Sequence, residues 1–246
     1  MERLKRLSDE AVKRTSTKFK RFLHDQIIWN RQLIGISGAR GSGKTVMLLQ
    51  YLKSLPDTES GLYVSLDDIF FTENKLVYFA EDFARYGGTY LLLDEVHKYP
   101  NWSQELKNIY DSIPDLKVVF TSSSALEIHK GSHDLSRRAI MFNLPGLSFR
   151  EFIELKYKIK LPVLTLDEIL SNGNRIIPPI LDKIKPIPHF REYLQEGYYP
   201  FFLNTETDYL KQLISAMNLA IESDLPAIHK IDFSSIIKIK TLLYVI

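Results

Sequence analysis

The stretch Leu33-Ile34-Gly35-Ile36-Ser37-Gly38-Ala39-Arg40-Gly41-Ser42-Gly43-Lys44-Thr45 decides how this chain is read. An apolar run feeds into Gly-x-x-x-x-Gly-Lys-Thr, and a helical pattern, Val46-Met47-Leu48-Leu49-Gln50-Tyr51-Leu52, follows at once. Strand before and helix after is the setting that a phosphate-binding loop requires. Each residue type there has a task. Gly38 and Gly43 permit dihedrals and a close approach that a Cβ blocks. The backbone of Gly38, Ala39, Arg40, Gly41, Ser42, Gly43, Lys44, Thr45 and Val46 is expected to turn its N–H groups, with the helix N-terminus, toward phosphate oxygens. Lys44 adds a point charge for the β- and γ-phosphates, and Thr45 offers a hydroxyl to Mg²⁺. A chance match at the four fixed positions arises in roughly one chain of this length per hundred. The flanking strand and helix signals cut that further, so nucleotide binding is the expectation.

Downstream, Leu62-Tyr63-Val64-Ser65-Leu66 reads as a buried strand ending in Asp67-Asp68, carboxylates that suit a loop start and helix cap or, at the carboxyl end of a parallel strand, a place near the nucleotide. Leu76, Phe79, Ala80 and Phe83 predict a helix that stops at Gly87-Gly88. Next comes Tyr90-Leu91-Leu92-Leu93-Asp94-Glu95, an apolar strand finishing in an acidic pair. One strand–helix unit beyond a phosphate loop, that is the pattern of a Walker B element. Asp94 is then expected to hold Mg²⁺ and Glu95 to polarise the attacking water. A helix from Pro100 to Asp111 and a strand Leu116-Lys117-Val118-Val119-Phe120 follow, the strand ending in Thr121-Ser122-Ser123-Ser124. A polar side chain at that tip, Ser123 being the candidate, is placed to read the γ-phosphate, although serines there also cap helices. Arg137-Arg138 precedes the last strand, Ala139 to Leu144. An arginine aimed at a γ-phosphate stabilises transition-state charge, in cis or from a neighbouring subunit, and Arg138 is the candidate beside the plain alternative of a surface arginine.

The character changes at Pro145. Ser148-Phe149-Arg150-Glu151 and Thr165-Leu166-Asp167-Glu168 are capping boxes, and prolines at 162, 178, 179, 186 and 188 punctuate a region without strand–helix alternation. Helical patterns run from Phe190 to Leu194, from Tyr209 to Ile221 and from Ser234 onward. The organisation expected is therefore a basic helical arm over residues 1–30, a phosphate-loop core over 31–145 and a mostly helical domain over 146–246. The apolar ending Leu242-Leu243-Tyr244-Val245-Ile246 invites a protein partner or self-association.

Composition narrows the classes. Hydrophobic residues make up 45% and charged residues 25% of 246, ordinary for a soluble globular protein with a real core. No apolar run approaches the length of a membrane span, and Met1-Glu2-Arg3-Leu4-Lys5-Arg6 lacks a signal-peptide core. Cysteine is absent, which removes disulfides and thiolate metal sites and agrees with a cytoplasmic location. The net charge of +2 argues for no global nucleic-acid partner. The first 31 residues are nevertheless rich in Lys and Arg, and their basic face suits a nucleic-acid backbone or an acidic partner, or simply solvent. His129 and His133 stand at metal-ligand spacing with Gly131 between them and no third ligand in view.

Taken together, Gly38 to Thr45, Leu92-Leu93-Asp94-Glu95-Val96-His97-Lys98-Tyr99-Pro100-Asn101-Trp102, Thr121 to Glu127 and Leu147-Ser148-Phe149-Arg150-Glu151-Phe152 resemble the AAA+-like prokaryotic ATPases of the archaeal-ATPase kind, over roughly residues 30–155. The resemblance implies an α/β three-layer P-loop NTPase sandwich with a parallel sheet in the order 5-1-4-3-2, followed by a smaller helical lid. In that lid, Gly197-Tyr198-Tyr199-Pro200 looks like the family's Gly-Gly-x-Pro segment. It implies ATP and Mg²⁺ as ligands and carries the family's arginine over to Arg138. The chain departs from the family's Thr-Gly-Ser-Ser at Thr121 to Ser124 and from its Gly-Arg at Arg137-Arg138. Family members usually continue into a winged-helix segment and a further domain, and the expectation is that residues 146–246 end before that segment.

The leading expectation is an Mg²⁺-dependent ATPase. A small-molecule kinase shares the loop but usually lacks the Glu after the Walker B Asp. A GTPase needs Asn-Lys-x-Asp, and Asn74-Lys75-Leu76-Val77 fails at its last position. The alternative outside enzymes is a slowly hydrolysing ATP-binding switch that signals through its helical domain.

Overall fold

The computed structural model describes residues 1–122, 135–204, 208–226 and 232–245. Five strands form one all-parallel sheet: β1 (Leu33–Ser37), β2 (Gly61–Ser65), β3 (Tyr90–Asp94), β4 (Lys117–Ser122) and β5 (Ile140–Asn143). Their order across the sheet is β2-β3-β4-β1-β5, the 5-1-4-3-2 order that the resemblance implies. The register sets the carboxyl ends level. Ser37 stands beside Ser122 and Asn143, and Ser65 beside Asp94.

Strands covered on both faces need apolar residues at every position, and the side chains then sort alternately to the two sides. Leu33, Leu91, Leu93, Val118 and Phe120 pack on one side with Phe79 and Phe83 of α5 (Leu76–Arg85) and Leu106 and Ile109 of α6 (Trp102–Ser112). Ile34, Ile36, Leu92 and Val119 pack on the other with Met47, Leu48 and Tyr51 of α3 (Lys44–Lys53) and Leu23 of α2 (Phe22–Gln26). The short α4 (Phe70–Glu73) follows the β2 loop, where Asp68 accepts the Phe70 N–H at 2.9 Å.

The amino-terminal segment holds two helices. The first, α1 (Glu2–Arg14), ends at Thr15 in extended conformation. It runs along β2, the sheet edge, where the Ser8 hydroxyl accepts the Tyr63 N–H at 3.1 Å. Such a cover blunts an edge that would otherwise offer its backbone to another strand. Arg3 pairs with Asp68 at 2.9 Å, and the guanidinium holds that carboxyl below the usual carboxylate range. Between α1 and α2 the chain is strapped to α3. Buried Gln50 donates to the Ser16 and Phe19 carbonyls, both at 2.7 Å. Trp29 stacks on Tyr51 with ring centroids 4.2 Å apart, as a core-packing role for it requires.

The described residues fall into two compact units, 1–145 with 213–246, and 146–212. Within the second, α7 (Phe149–Tyr157) opens on the Ser148–Glu151 capping box, and α8 (Leu166–Leu181) opens on the Thr165–Glu168 one. Pro178 and Pro179 lie inside α8. They sit in its last turn, remove the N–H groups that would bond Asn174 and Arg175, and let it end at Leu181. Pro186 takes the first position of α9 (Pro186–Glu196), where no donor is needed. Phe152 is fully buried and meets Tyr193 and Phe202. Lys156 bonds Glu192 and Glu196 together. The carboxyl-terminal helices are α10 (Tyr209–Leu219), followed by a π-helical turn (Ala220–Asp224), and α11 (Phe233–Val245). Among the described residues no helix is long and apolar enough to cross a membrane.

Candidate functional site

In a parallel sheet the strands end and the following helices begin on the same edge, so ligand-binding groups accumulate there. β1 ends at Ser37 and the chain turns through the glycine loop into α3. Gly41 and Gly43 have φ of 82° and 98°, which side chains with a Cβ rarely adopt. A Cβ on Gly38 would stand 2.3 Å from the Leu144 carbonyl oxygen. The loop therefore closes tightly against the chain leaving β5. Lys44 is 5% exposed, and its Nζ donates to the carbonyls of Gly38 and Ala39 at 2.9 and 3.0 Å. The ammonium is held over the loop that is built for anions.

The Walker B strand meets this loop through oxygens. The Thr45 hydroxyl lies 2.6 Å from Asp94 Oδ2, and Asp94 is 3% exposed. Two further hydroxyls hold the carboxylate. Tyr63 of β2 donates to Oδ2 at 2.9 Å, and Thr121 at the end of β4 donates to Oδ1. Thr121 also accepts the Glu95 N–H at 3.1 Å, so one threonine fixes both acidic residues. Burial, with the Asp94 charge adding to it, pushes the Tyr63 phenol well above its ordinary pKa, so it stays a donor. Glu95 has φ 55°, a left-handed conformation uncommon for a residue with a side chain. Its Oε2 faces two cationic or potentially cationic groups, Arg40 Nη2 at 3.5 Å and His97 Nε2 at 3.4 Å.

A last brace comes from the amino-terminal strap. Arg21 is 3% exposed, and its guanidinium donates to the Ser42 carbonyl inside the loop and, at 2.8 Å, to the Pro145 carbonyl beyond β5. The residue that reads as part of a basic surface is a buried support of the phosphate loop.

A family model described as an AAA domain matches residues 30–153. The chain belongs to this AAA domain family. The glycine loop and the strand ends described above lie within the matched residues. The uncharacterized protein MJ1637 of Methanocaldococcus jannaschii is 28% identical over 231 residues, covering 88% of this chain and 48% of that protein. The chain therefore spans about half the length of this relative. Among solved structures, the Walker-type ATPase PABY2304 of Pyrococcus abyssi aligns with a TM-score of 0.45 and 15% identity, over 86% of this chain and 76% of that one. A DNA polymerase III gamma subunit-related protein of Thermotoga maritima aligns at 0.38 and 15%, over 65% and 55%.

In this AAA domain the structure brings Lys44, Thr45, Asp94, Glu95 and the loop from Gly38 to Val46 to one edge. It does not bring Arg138 there. Arg138 precedes β5, which places it at the amino end of the sheet. Its Nε and Nη2 reach Asp111 Oδ1 and Oδ2 at 2.8 and 2.9 Å. Ser123, His129 and His133 lie outside the described residues. Among the described residues no cluster of three metal-ligating side chains occurs. Sequence reasoning gave no individual role to Tyr63 or Arg21, and Thr121 entered it only as one member of a polar strand tip. For Thr121 the signal was present, a hydroxyl residue at the tip of β4, which lies between β3 and β1.

Proposed function

We propose that this chain binds ATP with Mg²⁺ and hydrolyses its β–γ phosphoanhydride. The observation that carries the reading is the junction of phosphate loop and Walker B strand, where Thr45 Oγ1 sits 2.6 Å from Asp94 Oδ2 and Glu95 is pinned beside them by Thr121. A hydroxyl and a carboxylate side by side, without nitrogen or sulfur donors, fit a hard divalent cation that keeps several waters. Thr45 and Asp94 would hold Mg²⁺, which when bound neutralises charge on the β- and γ-oxygens. The loop amides and Lys44 bind and orient the triphosphate. Glu95 takes a proton from the attacking water as its oxygen bonds to the γ-phosphorus, and the bond to the bridging oxygen breaks to leave ADP. Preference for ATP over other nucleotides rests on the family.

One observation favours slow turnover and a switch-like use of the same site. Glu95 is engaged by Arg40 and His97, so the base is restrained.

The test is Mg²⁺-dependent phosphate release from ATP by wild type and Glu95→Gln, with nucleotide binding measured in both. Wild type should turn over, while Glu95→Gln should bind ATP and release phosphate at least about 100-fold more slowly. If both bind and neither releases phosphate, the chain is a switch rather than a hydrolase.

A further inference from the structure

The hydrolytic scheme uses Lys44, Thr45, Asp94 and Glu95 and assigns the phosphate loop's second cation no task. Arg40 is the third residue of Gly38-to-Thr45, between Ala39 and Gly41. Its side chain crosses from the loop to the Walker B strand and stands 3.5 Å from Glu95 Oε2. Its side chain is 33% exposed and that of Glu95 20%, so both retain freedom to move. The Glu95 backbone does not share that freedom, because its N–H is tied to Thr121.

Arg40 therefore has two anions within reach of one rooted position. One is the Glu95 carboxylate, with a single charge. The other is the terminal phosphate of a nucleotide in its own loop, with more charge and pairs of oxygens that a guanidinium fork binds bidentately.

We propose that Arg40 exchanges Glu95 for the γ-phosphate of bound ATP, so that the base is released only when the phosphate to be cleaved is in place. This makes Arg40 a cation acting in cis on the transferring phosphoryl group, and it explains how a base can be restrained by a loop that ATP itself occupies. The inference rests on the ATPase reading above.

The experiment measures the affinities of ATP, a non-hydrolysable ATP analogue and ADP, together with phosphate release, for wild type, Arg40→Ala, Arg40→Lys and Arg40→Gln. Arg40→Ala should lose about tenfold or more in affinity for ATP and the analogue while ADP affinity stays within about twofold, and release should fall by about 1,000-fold. Arg40→Lys should recover part of the ATP preference and little of the rate, because an ammonium supplies charge without the fork. Glu95→Gln should tighten the analogue in an Arg40 background and leave it unchanged in Arg40→Ala, a coupling that a loop-supporting role does not produce.

Equal losses for ATP and ADP, or wild-type turnover in Arg40→Ala, would overturn the proposal. If Arg40→Ala does not fold, the same ratios in the Lys and Gln variants decide it. A wild type that binds ATP without releasing phosphate sinks the hydrolysis reading alone, and the ATP-to-ADP ratio still judges Arg40.

Discussion

At the carboxyl end of the sheet, Lys44, Asp94 and Arg21 are almost wholly buried and each is bonded inside the chain. At the amino end, Arg138 pairs with the exposed Asp111, and Lys117 reaches the Tyr90 hydroxyl at 3.1 Å with its ammonium over that ring. Both ends use charge, under different rules. A solvated ion pair adds little and can be lost cheaply. A buried charge carries a desolvation cost that only good partners offset. An end that buries three charged groups around a glycine loop is organised for a ligand, because apolar residues would stabilise the fold at lower cost. The end with solvated pairs only fastens helix to strand.

The sharpest way to break that contrast is Arg21→Ala. The change removes one guanidinium and leaves the buried Ser42 carbonyl and the Pro145 carbonyl without that donor. A loss of about 3 kcal/mol is expected from two charge-assisted hydrogen bonds and the packing of the stem, measured as a shift in the urea unfolding midpoint at constant slope. ATP and ADP affinities should weaken together, since Arg21 supports the loop backbone rather than any one phosphate. An unchanged midpoint would mean that its burial is incidental.

Arg21 also marks where sequence reading stops. The phosphate loop and the acidic pair were legible because phosphate and Mg²⁺ chemistry dictates residue types a few positions apart. The sheet order was legible through resemblance. Arg21 finds its partners 21 and 124 residues away, and a basic run gives no sign of which member turns inward. Tyr63 was hidden by its own strand. Leu62 to Leu66 reads as apolar, and only the register, with Tyr63 level with Leu92 and so on the face of Asp94, shows why a phenol is there. Arg138 is a different case. A residue just before a parallel strand must lie at the amino end, opposite a loop that follows β1, so strand direction alone separates it from the phosphate site within one copy.

Tyr63→Phe sharpens the contrast with a smaller effect. It deletes one of the three hydroxyls on Asp94 and leaves Thr45 and Thr121 in place. About 1 kcal/mol of stability should go, and the Mg²⁺ concentration for half-maximal phosphate release should rise a few-fold as Asp94 loosens. The pH dependence has a definite sign. The folded state keeps the Tyr63 proton that the unfolded chain releases above about pH 10, so stability falls as pH rises through that range. Tyr51, also raised by burial, contributes to the same fall. Tyr63→Phe should flatten it in part, seen as a smaller difference in melting temperature between neutral and alkaline pH.

The smallest effect belongs to the other end. β5 is four residues long, so about 10 Å of strand separates Ile140, two residues after Arg138, from Asn143 beside the phosphate loop. That span exceeds the reach of a side chain already forked onto Asp111 and lying over the Tyr110 ring. Arg138→Ala and Asp111→Ala should therefore both leave phosphate release within about twofold of wild type at low protein concentration, because a solvated pair at the fastening end does not enter the chemistry. The pair of variants is what gives the measurement its force. If Arg138→Ala collapses release while Asp111→Ala does not, and the difference grows with protein concentration, the arginine serves the site of a neighbouring copy in trans. The amino end would then be a catalytic surface toward a partner rather than a fastening, and the division between the two ends would hold only within a single chain.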